Sequence, residues 1–504
     1  MSLIVVSNRL PISLERQSER RWQLEPGSGG LVTAMAPVLR DRGGRWVGWA
    51  GIADASGSSL DQALEQASRG TGYRLEPVQL DGDDVRDYYE GFSNEVVWPL
   101  FHDQAGRCRF MPEYWYRYLE VNRKFARAIA RNSSEDDYIW VHDYHLMHVG
   151  QSLRQQGGQR RLGFFMHIPF PPVDLFVKLP WREKILEALL EYDLIGLQTM
   201  RDRRNFLECL ERLDRRLKPS GRGPVVTLKV GQRNVRVGSF PISIDFKDFV
   251  KTARTREVQA SAARIRSALA GQEIMLSVDR LDYSKGIPER LEGLRAALRK
   301  YPDLSGKLTL IQIVVPSRER VEQYQLLKAQ VEQLVGEING EFTRPGWVPV
   351  QHIYRSFSRA DLVAYYAAAD IGLITPLKDG MNLVSKEYCA CRTNDDGVLI
   401  LSEFAGSASQ LHRGALLINA HDREGTASAI YDAFGMSPDE RHARMRRLRT
   451  NIRNQDIFWW VDTFLQTAFG RQLGDLPTLE EYPRLASSFG AEPGSPALRH
   501  GRIH

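Results

Sequence analysis

The stretch Ile274-Met275-Leu276-Ser277-Val278-Asp279-Arg280-Leu281-Asp282-Tyr283-Ser284-Lys285-Gly286-Ile287-Pro288 decides the fold. Ile274–Val278 is a short, β-rich apolar run. A helical face of Ile287, Leu291, Leu294 and Leu298 follows, with Pro288 near its start, where a missing N–H is harmless. A strand feeding a helix through a polar turn is the βα unit of a parallel sheet.

The same alternation runs outward in both directions. Upstream lie the apolar runs Leu3–Val6, Trp46–Trp49, Tyr138–Val141, Leu162–Met166 and Leu194–Leu197; downstream lie Leu308–Val315, Ile371–Ile374 and Val398–Leu401. A second helical face is expected from Phe206, Leu210, Leu213 and Leu217. The two groups of strands are separated by the connector Phe240-Pro241-Ile242-Ser243-Ile244-Asp245, and 504 residues exceed one comfortable core. The expected fold is therefore α/β with two domains, 1–245 and 246–455. The segment 474–504, rich in Pro, Ser and Gly, reads as a poorly ordered tail.

Composition narrows the class. A hydrophobic content of 42% with 26% charged residues is that of a globular chain. No apolar window reaches the length of a membrane span, since the run at Leu308–Val315 is short and contains Gln312. The start, Met1-Ser2-Leu3-Ile4-Val5-Val6, lacks the charged and apolar regions of a signal peptide, so a cytoplasmic protein is expected. Cys108, Cys209, Cys389 and Cys391 are spaced for neither disulfides nor zinc. The net charge of +6 is small and sits mainly in helical runs such as Arg201–Arg204 and Arg444–Arg449, as expected of solvated helix faces, and is equally what an enzyme handling several phosphates would show.

Ligands of doubly wound sheets bind beyond the carboxyl ends of the strands. Those positions are rich in polar groups. Ser7-Asn8-Arg9 follows the first strand, and the loop Gly27-Ser28-Gly29-Gly30 opens a helix at Leu31, presenting backbone N–H groups to an anion. His142-Asp143-Tyr144-His145 and His167-Ile168-Pro169-Phe170 end two further strands, with a carboxylate and an imidazole suited to sugar hydroxyls. A metal set of His142, Asp143 and His145 is disfavoured, because on an extended chain only alternate side chains share a face. Arg280 and Lys285 place two cations at one strand-to-helix turn, where they can neutralise a diphosphate leaving group without a metal. Arg318 is another strand-end cation. Asp379-Gly380-Met381-Asn382-Leu383-Val384 and Glu387 follow Ile371–Ile374, and Gly380 to Val384 are expected to form the first turn of a helix. Asp81-Gly82-Asp83 looks like a manganese-binding DxD motif but reads as turn chemistry ahead of Tyr88-Tyr89.

These segments together resemble the trehalose-6-phosphate synthase family, retaining glycosyltransferases of family 20. The resemblance runs from Val5 to about Phe464 and includes Ser7–Arg9, Gly29-Gly30-Leu31, Trp46–Trp49, Tyr89 to Pro99, His142–His145, His167–Phe170, Arg280–Gly286 and Asp379–Glu387. It implies two Rossmann-like domains whose parallel sheets face across a cleft (GT-B), the first for the acceptor and the second for the nucleotide sugar. A helix at 456–473 is expected to return to the first domain.

The resemblance also implies roles. Arg9, Tyr89, Trp98, Asp143 and Arg318 match the acceptor site for glucose 6-phosphate. Arg280 and Lys285 match the diphosphate clamp. Asp379, His167 and the N–H groups of Gly380, Met381 and Asn382 match contacts to the donor hexose. Leu383 and Val384 match backbone near the phosphates, Glu387 matches the ribose contact, and Gly29 and Gly30 belong to a loop closing over donor and acceptor. UDP-glucose is the implied donor, with GDP- and ADP-glucose left open, and no cofactor or metal is implied. Glycerol 3-phosphate, giving glucosylglycerol phosphate, is the alternative acceptor. A sensor without turnover is disfavoured by the intact clamp. Neither nucleic acid nor membrane is an expected partner, and oligomeric state stays open. Too few residues follow Phe464 to fold a phosphatase domain, so a separate phosphatase is expected downstream.

Overall fold

The computed structural model describes residues 2–18, 21–27, 30–54, 58–318 and 321–470. Its strands are β1 (Leu3–Arg9), β2 (Ile12–Ser18), β3 (Arg21–Pro26), β4 (Arg45–Trp49), β5 (Arg74–Val78), β6 (Tyr138–His142), β7 (Arg161–Phe165), β8 (Leu194–Leu197), β9 (Val225–Val230), β10 (Arg233–Ser239), β11 (Glu273–Arg280), β12 (Leu308–Val315), β13 (Val350–Tyr354), β14 (Ile371–Ile374), β15 (Val398–Ser402) and β16 (Leu416–Ile418). Eight of them form one sheet, ordered β5-β4-β1-β6-β7-β8-β10-β9 and parallel except for β9 against β10. Six form a second, wholly parallel sheet, β13-β12-β11-β14-β15-β16. This is the α/β, two-sheet GT-B architecture.

All nine strands expected from the sequence are present; β2, β3, β5, β9, β10, β13 and β16 are additional. The central strands carry unbroken apolar runs because helices cover both faces. Ile4, Val5 and Val6 of β1 and Ile139, Trp140 and Val141 of β6 are fully buried. β9 and β10 escape the apolar pattern because their strands interleave Thr227, Lys229, Arg233, Asn234 and Arg236 at the sheet edge.

The helix carrying Phe206 and Leu210 spans Met200–Leu213, started by a capping box between Thr199 and Asp202. It stops four residues short of Leu217, correcting the longer helical face read from the sequence. Asp214 turns extended there and accepts from the Arg216 N–H at 2.9 Å, a local side-chain turn that competes with the helix.

In each sheet the chain works outward from a central strand and then resumes on that strand's other side. The reversal falls between β1 and β6 in one sheet and between β11 and β14 in the other. The crevices so formed are where such sheets bind ligands. The second is braced by fully buried Arg290, whose guanidinium reaches Asp279 at 2.6 Å, Thr375 Oγ1 at 2.9 Å, Gln312 Oε1 at 3.0 Å and the Lys285 carbonyl at 3.2 Å. One side chain thus joins β11, β12, the end of β14 and the polar turn. Gly286 has φ +63°, and a Cβ there would also collide with the Thr375 carbonyl.

The last described helix, Ile457–Phe469, packs on the first sheet. Trp460 and Phe464 lie over Trp140 at ring-centroid distances of 4.9 and 4.1 Å, and Arg236 bonds the terminal carbonyls of Thr467 and Ala468. Trp460 Nε1 also donates to the Phe240 carbonyl of the connector at 3.1 Å. No helix of the described residues is long and apolar enough to cross a membrane. The tail expected at 474–504 lies outside the described residues.

Candidate active site

The crevice of the first sheet is lined by aromatic rings and cations. Arg9, at the end of β1, lies over Trp49 at 4.3 Å and Tyr89 at 5.5 Å, and donates to the Gly51 carbonyl at 3.4 Å. Tyr89 stacks on His145 at 5.9 Å. Tyr89 and Trp98 come from consecutive helical stretches, Asp84–Val97, wound with π-type turns, and Trp98–Phe101. Asp81 accepts from the Asp84 N–H at 2.8 Å, Asp84 from the Asp81 N–H at 3.0 Å, and the two share Lys124. Asp81-Gly82-Asp83 is therefore the turn that starts this helix.

Arg318 completes the pocket from the second sheet. It sits just past β12 at φ +48°, with its guanidinium 4.4 Å from the Trp98 ring, hydrogen-bonded to the Tyr324 hydroxyl and 3.5 Å from Asp282. The Arg280 guanidinium stands 5.8 Å from the centroid of the same Trp98 ring. Burial raises the Tyr89 phenol pKa, but Arg318, Arg9 and Arg280 together outweigh it and bring the net value below the ordinary one. Burial likewise opposes the charge on Asp282, and Arg318, Lys285 and Arg280 hold its carboxyl low. The pocket is a positive, aromatic-walled recess with one balancing carboxylate.

Asp143 and His167 line the next strand ends. Asp143 has φ +75°, which breaks the strand alternation assumed from the sequence: the His142 ring and the Asp143 carboxylate both reach His167. His142 Nδ1 is 3.0 Å from His167 Nε2, and the His167 N–H donates to Asp143 Oδ1 at 3.1 Å. Burial pushes Asp143 up to about 6 against three backbone donors and Arg280, and pushes His167 down to about 3. Among the described residues no group of three or more His, Cys, Asp and Glu side chains converges on a metal position.

The second crevice is built largely from backbone. Lys285 Nζ bonds Asp379 Oδ2 at 2.7 Å, and Asn382 Nδ2 bonds the same oxygen at 3.2 Å. Burial disfavours the Asp379 charge, yet Lys285, His102 and Asn382 hold it below the ordinary carboxylate range. Lys285 is thus already paired, leaving Arg280 as the exposed cation of the turn. The expected first turn at Gly380–Val384 is corrected: the helix spans Leu383–Cys391, capped by Asn382 at φ +72°, whose Oδ1 accepts from Ser385 N at 3.0 Å. Asn382 caps the helix from the left-handed conformation, and Gly380 and Met381 stay in the loop before it. Among the described residues the N–H groups of Gly380, Met381, Asn382, Leu383 and Val384 find no acceptor. Five consecutive donors at a helix N-terminus form a cradle for anionic and hydroxyl oxygens.

That cradle touches the first sheet directly. A Cβ on Gly380 would overlap the His167 carbonyl, and one on Gly406 would overlap the Gly380 carbonyl. Lys378 bonds Asp103 at 2.8 Å across the cleft, and Lys386 Nζ reaches the connector's Ile242 carbonyl at 2.7 Å. Glu387 accepts from the Tyr366 hydroxyl at 2.9 Å, with burial raising its pKa. Gly30 is the first residue of the helix Gly30–Arg42; Gly29 lies outside the described residues. Sequence reading missed Trp49, Tyr324, Asp282 and Gly406. Asp282 lies inside the decisive motif and was legible as its capping residue, whereas nothing local marks Tyr324 or Gly406.

Two facing parallel sheets, each with its ligand crevice turned to a shared cleft, define a GT-B glycosyltransferase. The model of glycosyltransferase family 20 matches residues 1–469, and the chain belongs to that family. It is 44% identical over 469 residues to the trehalose-6-phosphate synthase of Mycolicibacterium smegmatis, covering 92% of this chain and 91% of that one. Among solved structures it resembles the α,α-trehalose-phosphate synthase (UDP-forming) of Burkholderia xenovorans in complex with glucose 6-phosphate, with TM-score 0.83, 32% identity, and 93% and 100% of the two chains covered. It also resembles a trehalose-6-phosphate synthase studied with bisubstrate glycomimetics for transfer with retention, with TM-score 0.80, 35% identity, and 93% and 99% covered.

Proposed function

We propose that the chain is a retaining glucosyltransferase that moves glucose from UDP-glucose to glucose 6-phosphate, giving α,α-trehalose 6-phosphate and UDP. The observation that carries this reading is the recess of Arg9, Tyr89, Trp98 and Arg318. It joins cations for a phosphate to aromatic faces for a sugar ring, beside a cradle of free N–H groups. The relatives' activity, with UDP formed and glucose 6-phosphate bound, supports the same substrates.

In this reading residues 1–245 bind the acceptor and 246–455 the nucleotide sugar. Arg9 and Arg318 hold the acceptor phosphate, Tyr89 and Trp98 the ring, and Asp143 an acceptor hydroxyl. Asp379, His167 and the N–H groups of Gly380, Met381 and Asn382 hold the transferred hexose. Arg280 and Lys285, with the N–H groups of Leu383 and Val384, receive the diphosphate, and Glu387 takes the ribose. Gly30, with its neighbours, closes over both substrates.

Departure of UDP breaks the anomeric C–O bond while the acceptor oxygen bonds the same face. The acceptor proton passes to the leaving phosphate oxygen, so no enzyme carboxylate need form a covalent intermediate. Catalysis then consists of orientation and of stabilising charge on the leaving group. A separate phosphatase would remove the product phosphate.

The test is a grid of UDP-, GDP- and ADP-glucose against glucose 6-phosphate and glycerol 3-phosphate, read by nucleotide release with and without chelator. Rapid, chelator-resistant release of UDP with glucose 6-phosphate is expected. Turnover only with glycerol 3-phosphate would reassign the acceptor, and no release with any pair would indicate a sensor.

A further inference from the structure

His142 carries no role in the reading above, yet its ring is fully buried and directly behind His167. Burial drives the pKa of both imidazoles down, so both are neutral near pH 7 and one proton lies between them. Its position follows from what surrounds His142. The ring packs among Trp140 at 4.9 Å, Phe165 at 6.4 Å and Trp460 at 6.5 Å, and its Nε2 is buried with no partner. A proton on His142 Nε2 would be a buried N–H without an acceptor, the rarer and costlier kind of orphan. A proton on Nδ1 instead has His167 Nε2 as acceptor at 3.0 Å.

We propose that His142 is a positioning residue: it donates its Nδ1–H to His167 Nε2 and so fixes His167 as the tautomer protonated on Nδ1. His167 is half-buried, and its Nδ1 is neither bonded nor sealed off. The ring therefore presents a hydrogen-bond donor outward, toward an oxygen of the bound hexose. The Asp143 carboxylate, accepting from the His167 backbone N–H at 3.1 Å, fixes the same residue from the other side. Two adjacent residues reach one target because the left-handed Asp143 ends the strand between them. Only the direction toward hexose rests on the proposed function; the tautomer does not.

The experiment has two arms on the full-length protein. In [15N]histidine-labelled protein, with signals assigned by difference against His167→Gln, His167 should show a protonated Nδ1 and an unprotonated Nε2. In His142→Phe it should shift to a mixture of tautomers. A protonated Nε2 on His167 in the unsubstituted protein would overturn the proposal, whatever the activity.

In kinetics, His142→Phe should lower kcat roughly tenfold, the scale of one lost hydrogen bond, with KM for glucose 6-phosphate unchanged. His142→Asn, whose amide N–H can stand near the Nδ1 position, should recover part of the loss. Equal kcat in the Phe and unsubstituted proteins, or failure of Asn to exceed Phe, would remove the positioning role. Absence of UDP release from the unsubstituted protein would instead defeat the proposed function, leaving the tautomer measurement to stand alone.

Discussion

In the proposed reading, the two sides of the cleft hold phosphorylated sugars by different means. The recess of the first sheet is made of side chains gathered from distant segments: Arg9 after β1, Trp49 on β4, Tyr89 and Trp98 from one helical stretch, and Arg318 lent by β12 of the other sheet. The crevice of the second sheet is made of one turn and one loop, Arg280–Gly286 and Asp379–Val384, and most of its donors are main-chain N–H groups. A side-chain recess can be weakened one group at a time. A backbone cradle is lost only when its path is disturbed, and its path depends on Gly380 and Gly406 lying against His167 and Gly380. The first arrangement suits recognition of one acceptor, the second stabilisation of charge that develops during reaction.

The sharpest way to break this contrast is to remove the two cations of the strand-to-helix turn on the backbone-built side. Arg280→Ala combined with Lys285→Ala should lower kcat by on the order of 10²-fold or more, as loss of preorganised donors to a leaving group does. Steady-state UDP release measures it, and an unchanged rate would end the leaving-group argument. Next in size is Gly406→Ala. Its Cβ has no room against the Gly380 carbonyl, so the cradle must shift; we expect kcat to drop roughly tenfold to a hundredfold and the melting temperature to fall. A variant with native activity would show that the loop is not held by that contact.

On the acceptor side the expected effect is smaller and falls on a different constant. Arg318→Ala should raise KM for glucose 6-phosphate roughly tenfold, the worth of one charged hydrogen bond, with kcat much less affected. If kcat fell as far as in the clamp variant, the division between recognition and charge stabilisation would collapse.

The contrast also explains what the sequence disclosed. Nine strands were legible because buried parallel strands are continuous apolar runs, and the strand-end positions of Arg9, Asp143, His167, Arg280 and Arg318 followed from them. Charged and aromatic side chains announce themselves in a sequence. Main-chain geometry does not: the donors of Gly380–Val384 were named, but the helix was placed one turn too early, because nothing local shows that Asn382 adopts φ +72° and that the helix begins at Leu383. The metal set His142, Asp143 and His145 was disfavoured by an extended-chain argument that Asp143 does not obey, since its left-handed backbone turns consecutive side chains to one target. Tyr324 and Gly406 escaped for a related reason. Their importance lies in a contact across the fold, with Arg318 and with the Gly380 carbonyl, and neither carries a local signature.

The last expected effect falls on stability rather than on a kinetic constant, at the place where the two sides are tied together. Lys386, on the helix that begins the cradle, is buried, with Nζ 2.7 Å from both the Ile242 carbonyl of the connector and Gln410 Oε1. Burial lowers its pKa from 10.5 to about 7, there being no carboxylate among these partners to offset it. The unfolded chain therefore holds this proton across the window from about 7 to 10.5 while the folded chain releases it. More protons bound in the unfolded state means that stability rises with pH across that window, by at most about 1.4 kcal/mol per pH unit for one group. Chemical denaturation at several pH values should show the slope, and Lys386→Met, which keeps the bulk and removes the titration, should flatten it. If the slope persists in the Met variant, another group titrates across that window and the charge of Lys386 does not govern the link between the connector and the cradle.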